Sequence, residues 1–169
     1  MASQLTKIRE ARESDLPRIR AIYNHEVHVS TATYDTHPRS AAEQRAWFAV
    51  HGGPHPVFVA ERDGRACGWA ALSPWSERAA YSRSVEVSVY VAEEWRRRGI
   101  GKLLLQGLID AGRARGHHAL LARISADNTA SIELHAALGF FVAGTLKEVG
   151  VKFGRMLDVC IMELILSPS

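Results

Sequence analysis

The stretch SVEVSVYVAEEWRRRGIGK, residues 84–102, determines the fold that we predict for this 169-residue chain. Residues 84–91 alternate, so the valines point to one side of a strand while Glu86, Ser88 and Tyr90 point to the other. A basic, glycine-containing loop follows, and then a helix is predicted over residues 101–115. Glycines allow main-chain N–H groups to converge on one point, and a helix N-terminus attracts anions. The arrangement therefore suits a pyrophosphate group.

The loop matches neither of the common nucleotide-binding fingerprints. The triphosphate-binding pattern Gly-x-x-x-x-Gly-Lys-Ser/Thr is missing, and the dinucleotide pattern fails because Leu104 stands where its third glycine is needed. A second interpretation stays open, in which residues 96–98 form a solvated turn and the glycines only mark the start of a helix. Glu86 also has two interpretations, as a functional carboxylate or as a Glu on the solvent face of an edge strand.

The other elements are predicted from periodicity, working outward from this stretch. Before it come a short strand near Ile8, helices over residues 15–28 and 40–50, and strands over 57–62 and 65–72 that Asp63-Gly64 joins as a hairpin. After it come a strand over 119–124, a helix over 129–138, and a closing strand pair over 141–146 and 159–166. Residues 29–39 predict a loop. We expect an α/β (α+β) fold, one three-layer domain over residues 1–169 with its core at about 6–166 and a mixed central sheet flanked by helices.

The composition is that of an ordinary globular protein. Hydrophobic residues make up 47% and charged residues 23%, and a net charge of +3 is too small to indicate a nucleic-acid partner. No signal-type or membrane-spanning apolar run is found, so a cytoplasmic protein without a membrane partner is expected. Cys67 and Cys160 lie far apart and are expected to be reduced and buried. The pair His25-x-x-His28 lacks a third ligand, so we expect no metal site.

One motif in the basic loop is informative at the level of the family. Arg96-x-x-Gly99-x-Gly101 resembles the Arg/Gln-x-x-Gly-x-Gly/Ala signature of the Gcn5-related N-acetyltransferase (GNAT) superfamily. The strand before it, the helix after it, and the later Asn128 and His135 occur in that family's order. Within the superfamily, the chain is similar to the phosphinothricin and methionine sulfone/sulfoximine N-acetyltransferases over about residues 6–166. The matching stretches include Ile22-Tyr23-Asn24-His25, Val85-Glu86-x-Ser88-Val89-Tyr90-Val91, Ser131-Ile132-x-Leu134-His135 and Gly150-Val151-Lys152-Phe153-Gly154-Arg155-x-x-Asp158.

The resemblance implies a GNAT-like fold and an enzyme that uses acetyl-coenzyme A as co-substrate. Its acetyl group would go to the α-amine of a small amino acid or analogue, of the phosphinothricin, methionine sulfone or methionine sulfoximine type, by direct attack within a ternary complex. The resemblance also implies a homodimer. Two alternatives stay open: a non-catalytic protein that binds acetyl-coenzyme A as a sensor, and an acetyltransferase for another amine, such as a protein N-terminus or a polyamine.

The resemblance further implies roles for single residues. Glu86 would deprotonate the amine, directly or through water, and the main-chain N–H of Val89 would stabilise the developing oxyanion. His135 stands where most of the superfamily has Tyr, and it would either protonate the departing thiolate or play a structural part. The residues expected to bind the cofactor are Val89, Tyr90, Val91, Arg96, Arg97, Arg98, Gly99, Ile100, Gly101, Lys102, Asn128 and Ala137. Those expected around the acceptor are Tyr34, Trp75, Ala79, Ala80, Tyr81, Glu86, Lys152, Phe153 and Arg155.

The acceptor side is the less determined part of the site. An amino-acid carboxylate requires a cation, and the sequence does not rank Arg83, Lys152 and Arg155 for that role. Tyr34 and Trp75 could equally be core residues.

Overall fold

A mixed sheet forms the centre of the molecule, in a computed structural model that describes residues 5–166. Its strands are β1 (Lys7–Glu10), β2 (Val57–Arg62), β3 (Arg65–Pro74), β4 (Ser84–Val91), β5 (Ala119–Ser125), β6 (Phe141–Lys152) and β7 (Arg155–Ile165). Their order across the sheet is β1-β2-β3-β4-β5-β7-β6. Neighbouring strands run antiparallel, except β4 and β5, which are parallel. The predicted mixed sheet is confirmed.

Helices cover both faces of the sheet and complete the three layers. They are α1 (Leu16–Val29), α2 (Ala41–Ala49), α3 (Ile100–Ala114) and α4 (Thr129–Ala137). On one face, Leu104 and Leu108 of α3 share a buried cluster with Val85 of β4. On the other, Ile19 of α1 shares a cluster with Trp69 of β3. The alternation of β4 thus buries its first valines under α3, and it turns Glu86 towards the opposite face.

The helix boundaries follow local capping chemistry. The α2 helix starts at a capping box in which Ser40 Oγ accepts from the Glu43 N–H at 3.2 Å and a Glu43 carboxylate oxygen accepts from the Ser40 N–H at 2.7 Å. The α3 helix instead begins after Gly99, which offers no side-chain cap. Its first N–H groups are therefore left for another acceptor. Within residues 5–166, no helix is long and apolar enough to cross a membrane.

The strands β4 and β5 part soon after they begin. They pair from Ser84–Ala119 to Glu86–Leu121, and beyond that pair the two strands separate. Within the described sheet, residues 87–91 of β4 therefore have no strand neighbour on the β5 side. We call the gap between residues 87–91 and residues 122–125 the cleft. It opens at the carboxyl ends of the only parallel pair in the described sheet, where open α/β sheets place their ligands.

The closing hairpin extends further than its sequence pattern indicated. The pattern gave strands over 141–146 and 159–166, whereas β6 and β7 continue to a tight turn at Phe153-Gly154, where both φ angles are positive. Register shifts between Val142 and Gly144 and between Leu146 and Gly150 absorb the extra residues of β6. Such bulges interrupt the two-residue alternation, so the pattern ended before the strand did.

Candidate active site

The cleft holds two adjoining cavities. A small cavity of about 90 Å³ lies where β4 and β5 part, and its lining includes Glu86, Val89, Arg123, Asn128 and His135. A larger groove of about 820 Å³ runs from there along the end of β4 to the start of α3. The two share part of their walls, formed by Ala32, Val89, Tyr90, Asn128 and Ser131. An elongated ligand in the groove can therefore reach a small partner in the cavity.

Most of the residues predicted to bind the cofactor line this groove. They are Val89, Tyr90, Val91, Arg96, Arg97, Gly99, Ile100, Gly101, Lys102 and Asn128. Arg98 lines neither cavity, and its guanidinium lies over the Trp95 ring, 4.9 Å from the centroid. Ala137 is exposed at the end of α4 and also lies outside both.

The loop before α3 is shaped to receive an anion. Arg97 and Gly99 both have left-handed backbones, with φ of 59° and 78°, immediately before the uncapped first turn of α3. Successive N–H groups in such a conformation form a concave donor site, and the helix dipole adds positive potential. Because the groove ends at this loop and Lys102 adds a cation, the chain's own residues fit a diphosphate.

Arg96 is already engaged with the protein. Its Nε donates to the Val91 main-chain oxygen at 3.2 Å, and its Nη2 pairs with the buried Glu26 carboxylate of α1. The second Glu26 carboxylate oxygen accepts from Ser30 Oγ at 2.6 Å, and that Oγ accepts from the Ala32 N–H at 3.1 Å. The Arg96 side chain thus connects the loop before α3 (residues 96–99, the anion loop) to the segment around Ala32, which lines the small cavity.

Glu86 occupies the small cavity as a partly buried carboxylate, with 24% of its side chain exposed. Burial raises the pKa of Glu86, and the positive charge of Arg123 opposes that rise. A carboxylate with a raised pKa is a better proton acceptor than a fully solvated one. This environment favours a base over the alternative of a Glu on a solvent face.

His135 contributes a neutral imidazole to the same cavity. Its Nδ1 lies 2.7 Å from the Ser131 main-chain oxygen, which can only accept, so Nδ1 carries the proton and Nε2 is the free acceptor. Phe140 packs edge-on against the ring at 5.1 Å. Burial lowers the pKa of His135, although the bond to Ser131 acts in the opposite direction. A buried neutral ring favours accepting a hydrogen bond at Nε2 over donating a proton to a thiolate.

Only some of the predicted acceptor residues lie in the cleft. Phe153 and Arg155 line the groove, and Arg155 pairs with Asp127 at 3.3 Å. Lys152 is buried, and its Nζ donates to the Thr33 main-chain oxygen at 2.7 Å. Tyr34 lies outside both cavities, and its hydroxyl donates to the Asp158 main-chain oxygen at 2.8 Å.

The remaining acceptor candidates lie at the β3–β4 connection. Ala79, Ala80 and Tyr81 form a short, exposed 3-10 helix that lines neither cavity. Arg83 donates to the Gly116 main-chain oxygen at 3.0 Å. Trp75 contacts a residue that lines the small cavity, since the guanidinium of Arg123 lies 4.5 Å from the centroid of the Trp75 ring.

Sequence reasoning missed Arg123. It lies on β5, lines the small cavity and faces Glu86, with 3.4 Å between Nη2 and the carboxylate oxygen. The available signal was its place in the run ALLARIS, where a charged residue interrupts an otherwise apolar strand as Glu86 does in β4. Among residues 5–166, no group of three or more His, Cys, Asp or Glu side chains is arranged to hold a metal ion.

Comparison with known proteins agrees with the geometry of the cleft. A family model described as "Acetyltransferase (GNAT) family" matches residues 17–140. An L-methionine sulfoximine/L-methionine sulfone acetyltransferase of Pseudomonas aeruginosa is 42% identical over 164 residues, covering 96% of this chain and 95% of the relative.

Two solved structures share the whole architecture. A phosphinothricin acetyltransferase from Sinorhizobium meliloti, in complex with AcCoA, has a TM-score of 0.92 at 38% identity and covers 95% of this chain and 88% of its own. A ribosomal-protein-alanine N-acetyltransferase from Brucella melitensis has a TM-score of 0.93 at 43% identity, covering 95% and 99%. Because the family match spans β4, the anion loop, α3, β5 and α4, the elements that build the cleft, this chain belongs to the acetyltransferase (GNAT) family.

Proposed function

We propose that this enzyme transfers the acetyl group of acetyl-coenzyme A to the α-amine of a small amino acid or analogue, of the methionine sulfone, methionine sulfoximine or phosphinothricin type. The observation that carries the proposal is the position of Glu86, in a small cavity that shares its walls with the anion-binding groove. A base beside the end of a cofactor groove is what direct transfer between two bound substrates requires. The names of the Pseudomonas and Sinorhizobium relatives support this class of acceptor.

In the proposed reaction, Glu86 transfers a proton and the main chain of Val89 stabilises the developing charge. Bound acetyl-coenzyme A would supply a thioester carbonyl. Glu86 takes a proton from the ammonium group of the acceptor, directly or through a water, so that the nitrogen lone pair becomes free to attack. The Val89 N–H donates to the carbonyl oxygen as negative charge develops on it. As the C–N bond forms, the C–S bond would break, and the departing thiolate would take up the second proton that the nitrogen loses. His135 offers Nε2 as an acceptor, which fits the orientation of a water or of the amine.

A panel of amines tests this proposal, with release of free coenzyme A thiol from acetyl-coenzyme A as the readout. The panel contains methionine sulfone, methionine sulfoximine, phosphinothricin, spermidine and a peptide with an N-terminal alanine. Turnover confined to the amino acids supports the proposal. Preference for the peptide would favour the activity named for the Brucella structure. Cofactor binding without turnover on any amine would favour the sensor.

We also propose that the protein acts as a homodimer in the cytoplasm. The edge strand β6 and its turn expose a row of apolar side chains, which consists of Phe141, Val142, Leu146, Val149, Val151 and Phe153. A long apolar edge strand invites pairing with another chain unless it is covered. The two cysteines in the described structure are free and buried, as proteins of a reducing compartment often have them.

A further inference from the structure

Arg123 is a charged residue in the middle of β5 that has no role in the proposed proton transfer or oxyanion stabilisation. Its neighbours Ala122 and Ile124 are buried under α3, so the alternation of the strand directs Arg123 to the face that carries Glu86. The parallel pairing of Glu86 with Leu121 places Arg123 two residues further along that face, where β4 and β5 part. It therefore projects at the mouth of the small cavity.

Two contacts fix the guanidinium there. Its Nη2 lies 3.4 Å from a Glu86 carboxylate oxygen, and its central carbon lies 4.5 Å from the centroid of the Trp75 ring. An arginine over an indole face is attracted by the ring quadrupole while its N–H edge stays free for other acceptors. Half of the side chain, 51%, remains exposed, so an incoming ligand can reach it.

Arg123 has unused donors beside the proposed base, whereas the other candidate cations have their partners elsewhere. A guanidinium carries five N–H donors, and within residues 5–166 the polar partner of Arg123 is the Glu86 carboxylate. Lys152 is buried on main-chain oxygens, Arg155 pairs with Asp127, and Arg83 binds the Gly116 oxygen. Of the cations considered, Arg123 alone adjoins the proposed base.

The charges of the Glu86–Arg123 pair are complementary to those of a zwitterionic amino acid. An α-amino acid holds an ammonium and a carboxylate one carbon apart, so its ammonium can face Glu86 while its carboxylate faces the guanidinium. The mutual attraction of the pair would then be replaced by two charge-assisted contacts with the ligand. An amine without a carboxylate would leave Arg123 with no new partner.

We infer that Arg123 binds the carboxylate of the acceptor and thereby selects free α-amino acids over amines that lack an anionic group next to the nitrogen. The inference rests on the proposed function and deepens it, since it names the residue that sets the acceptor class. Arg123 is a specificity residue here, and Glu86 keeps the proton-transfer role.

The test compares L-methionine sulfone with its carboxamide, which keeps the amine and the side chain but removes the negative charge. kcat/KM is measured for both acceptors with the wild type, Arg123→Gln, Arg123→Lys and the control Arg113→Gln, an exposed position on α3. The ratio of the two kcat/KM values is compared between variants, so the difference between the two amine pKa values cancels.

We expect Arg123→Gln to lower the acid-to-amide ratio by about 10- to 100-fold, the effect of losing a hydrogen bond to a charged group, mainly through the KM for methionine sulfone. Arg123→Lys should retain part of the preference, and Arg113→Gln should match the wild type. An unchanged ratio in Arg123→Gln would overturn the inference. That outcome includes an equal loss for both acceptors, which would mean that Arg123 acts only through Glu86.

A binding measurement separates this inference from the proposed function. Calorimetry of methionine sulfone binding to the wild type and to Arg123→Gln, each saturated with coenzyme A, needs no turnover. Weaker binding to Arg123→Gln supports the carboxylate contact even if no amine is acetylated, an outcome that would overturn the acetyltransferase proposal alone. Equal affinities would overturn the contact.

Discussion

Glu86 owes its basicity to a balance between burial and one neighbouring charge. Burial raises its pKa above the ordinary value for Glu, and Arg123 opposes the rise. A group with a raised pKa is deprotonated only when the pH exceeds that value, so the rate should increase with pH through the titration of Glu86. A carboxylate ligand on Arg123 would weaken that opposing charge, and the ammonium of the same ligand, lying beside Glu86, would take its place in lowering the pKa of Glu86.

Glu86→Gln removes the base while keeping the shape of the side chain. We expect it to leave acetyl-coenzyme A binding intact and to lower kcat by about 10²–10⁴-fold at neutral pH. The loss should shrink as the pH approaches the pKa of the acceptor amine, because solvent then provides the free amine. A pH–rate profile of both proteins measures this. Glu133→Gln, an exposed position on α4, is the matched control, and full activity of Glu86→Gln at neutral pH would show that the base assignment is wrong.

At the scale of elements, the turn between β4 and α3 depends on a left-handed glycine. Gly99 has φ of 78°, and a side chain there would project into open space that a bound phosphate needs for close approach to the main chain. Gly99→Val should raise the KM for acetyl-coenzyme A by about tenfold or more, the effect of losing one charge-assisted hydrogen bond, with a much smaller effect on the KM for the amine.

Gly116 supplies the control for that change. It lies beyond the other end of α3, has φ of 77° and also has open space around it, so Gly116→Val imposes the same backbone strain away from the groove. Calorimetry with acetyl-coenzyme A compares the two variants. If Gly99→Val bound the cofactor normally, the diphosphate would lie elsewhere.

The hairpin of β6 and β7 supports the acceptor side through one tight contact. A methyl group on Gly150 would lie 2.5 Å from the ring of Tyr34, the residue that joins the segment after α1 to β7. Gly150→Ala should displace that ring and destabilise the protein by about 1–3 kcal/mol. Because the Tyr34 hydroxyl also lies 3.1 Å from Ser125 Oγ, in the lining of the small cavity, the KM for the acceptor should rise as well. Gly144→Ala, on the same strand with nothing within 4 Å, is the control. Urea unfolding of both variants checks the prediction, and equal stabilities would contradict it.

Local patterns located β4, Glu86 and the anion loop because alternation, glycine placement and capping act over a few residues. The remaining parts of the site depend on contacts between distant parts of the chain. The hydrogen bond from Lys152 Nζ to the Thr33 main-chain oxygen joins residues 119 positions apart. Because of this bond, Lys152, a candidate for binding the acceptor carboxylate, instead connects two buried parts of the protein. Arg123 meets Glu86 only through the register of β4 and β5 across the α3 crossover, which no local pattern specifies.

At the scale of the whole molecule, the exposed apolar side chains of β6 should bring two copies together. Val151, 62% exposed, lies near the hairpin turn whose Phe153 also lines the groove, so an interface there would adjoin the site. We expect the wild type to be a dimer by light scattering at micromolar concentration. Val151→Glu should be a monomer, because a two-fold interface would bury the introduced charge of both copies.

Val50→Glu controls for the effect of adding a charge, since Val50 is 75% exposed and lies at the end of α2, outside the row of β6 side chains. It should leave the mass unchanged. A wild type that scatters as a monomer would show that the dimer proposal is wrong.

The separation of β4 and β5 has a consequence for how the acceptor specificity of such an enzyme can evolve. One wall of the cleft presents peptide groups of β4 and the loop before α3, which any sequence that folds this way will offer. The opposite wall presents side chains of β5, such as Arg123, which pairs with the Glu86 carboxylate. Substitutions on β5 can therefore change which acceptor is bound while the groove for acetyl-coenzyme A stays intact. New acceptors can become substrates through single substitutions.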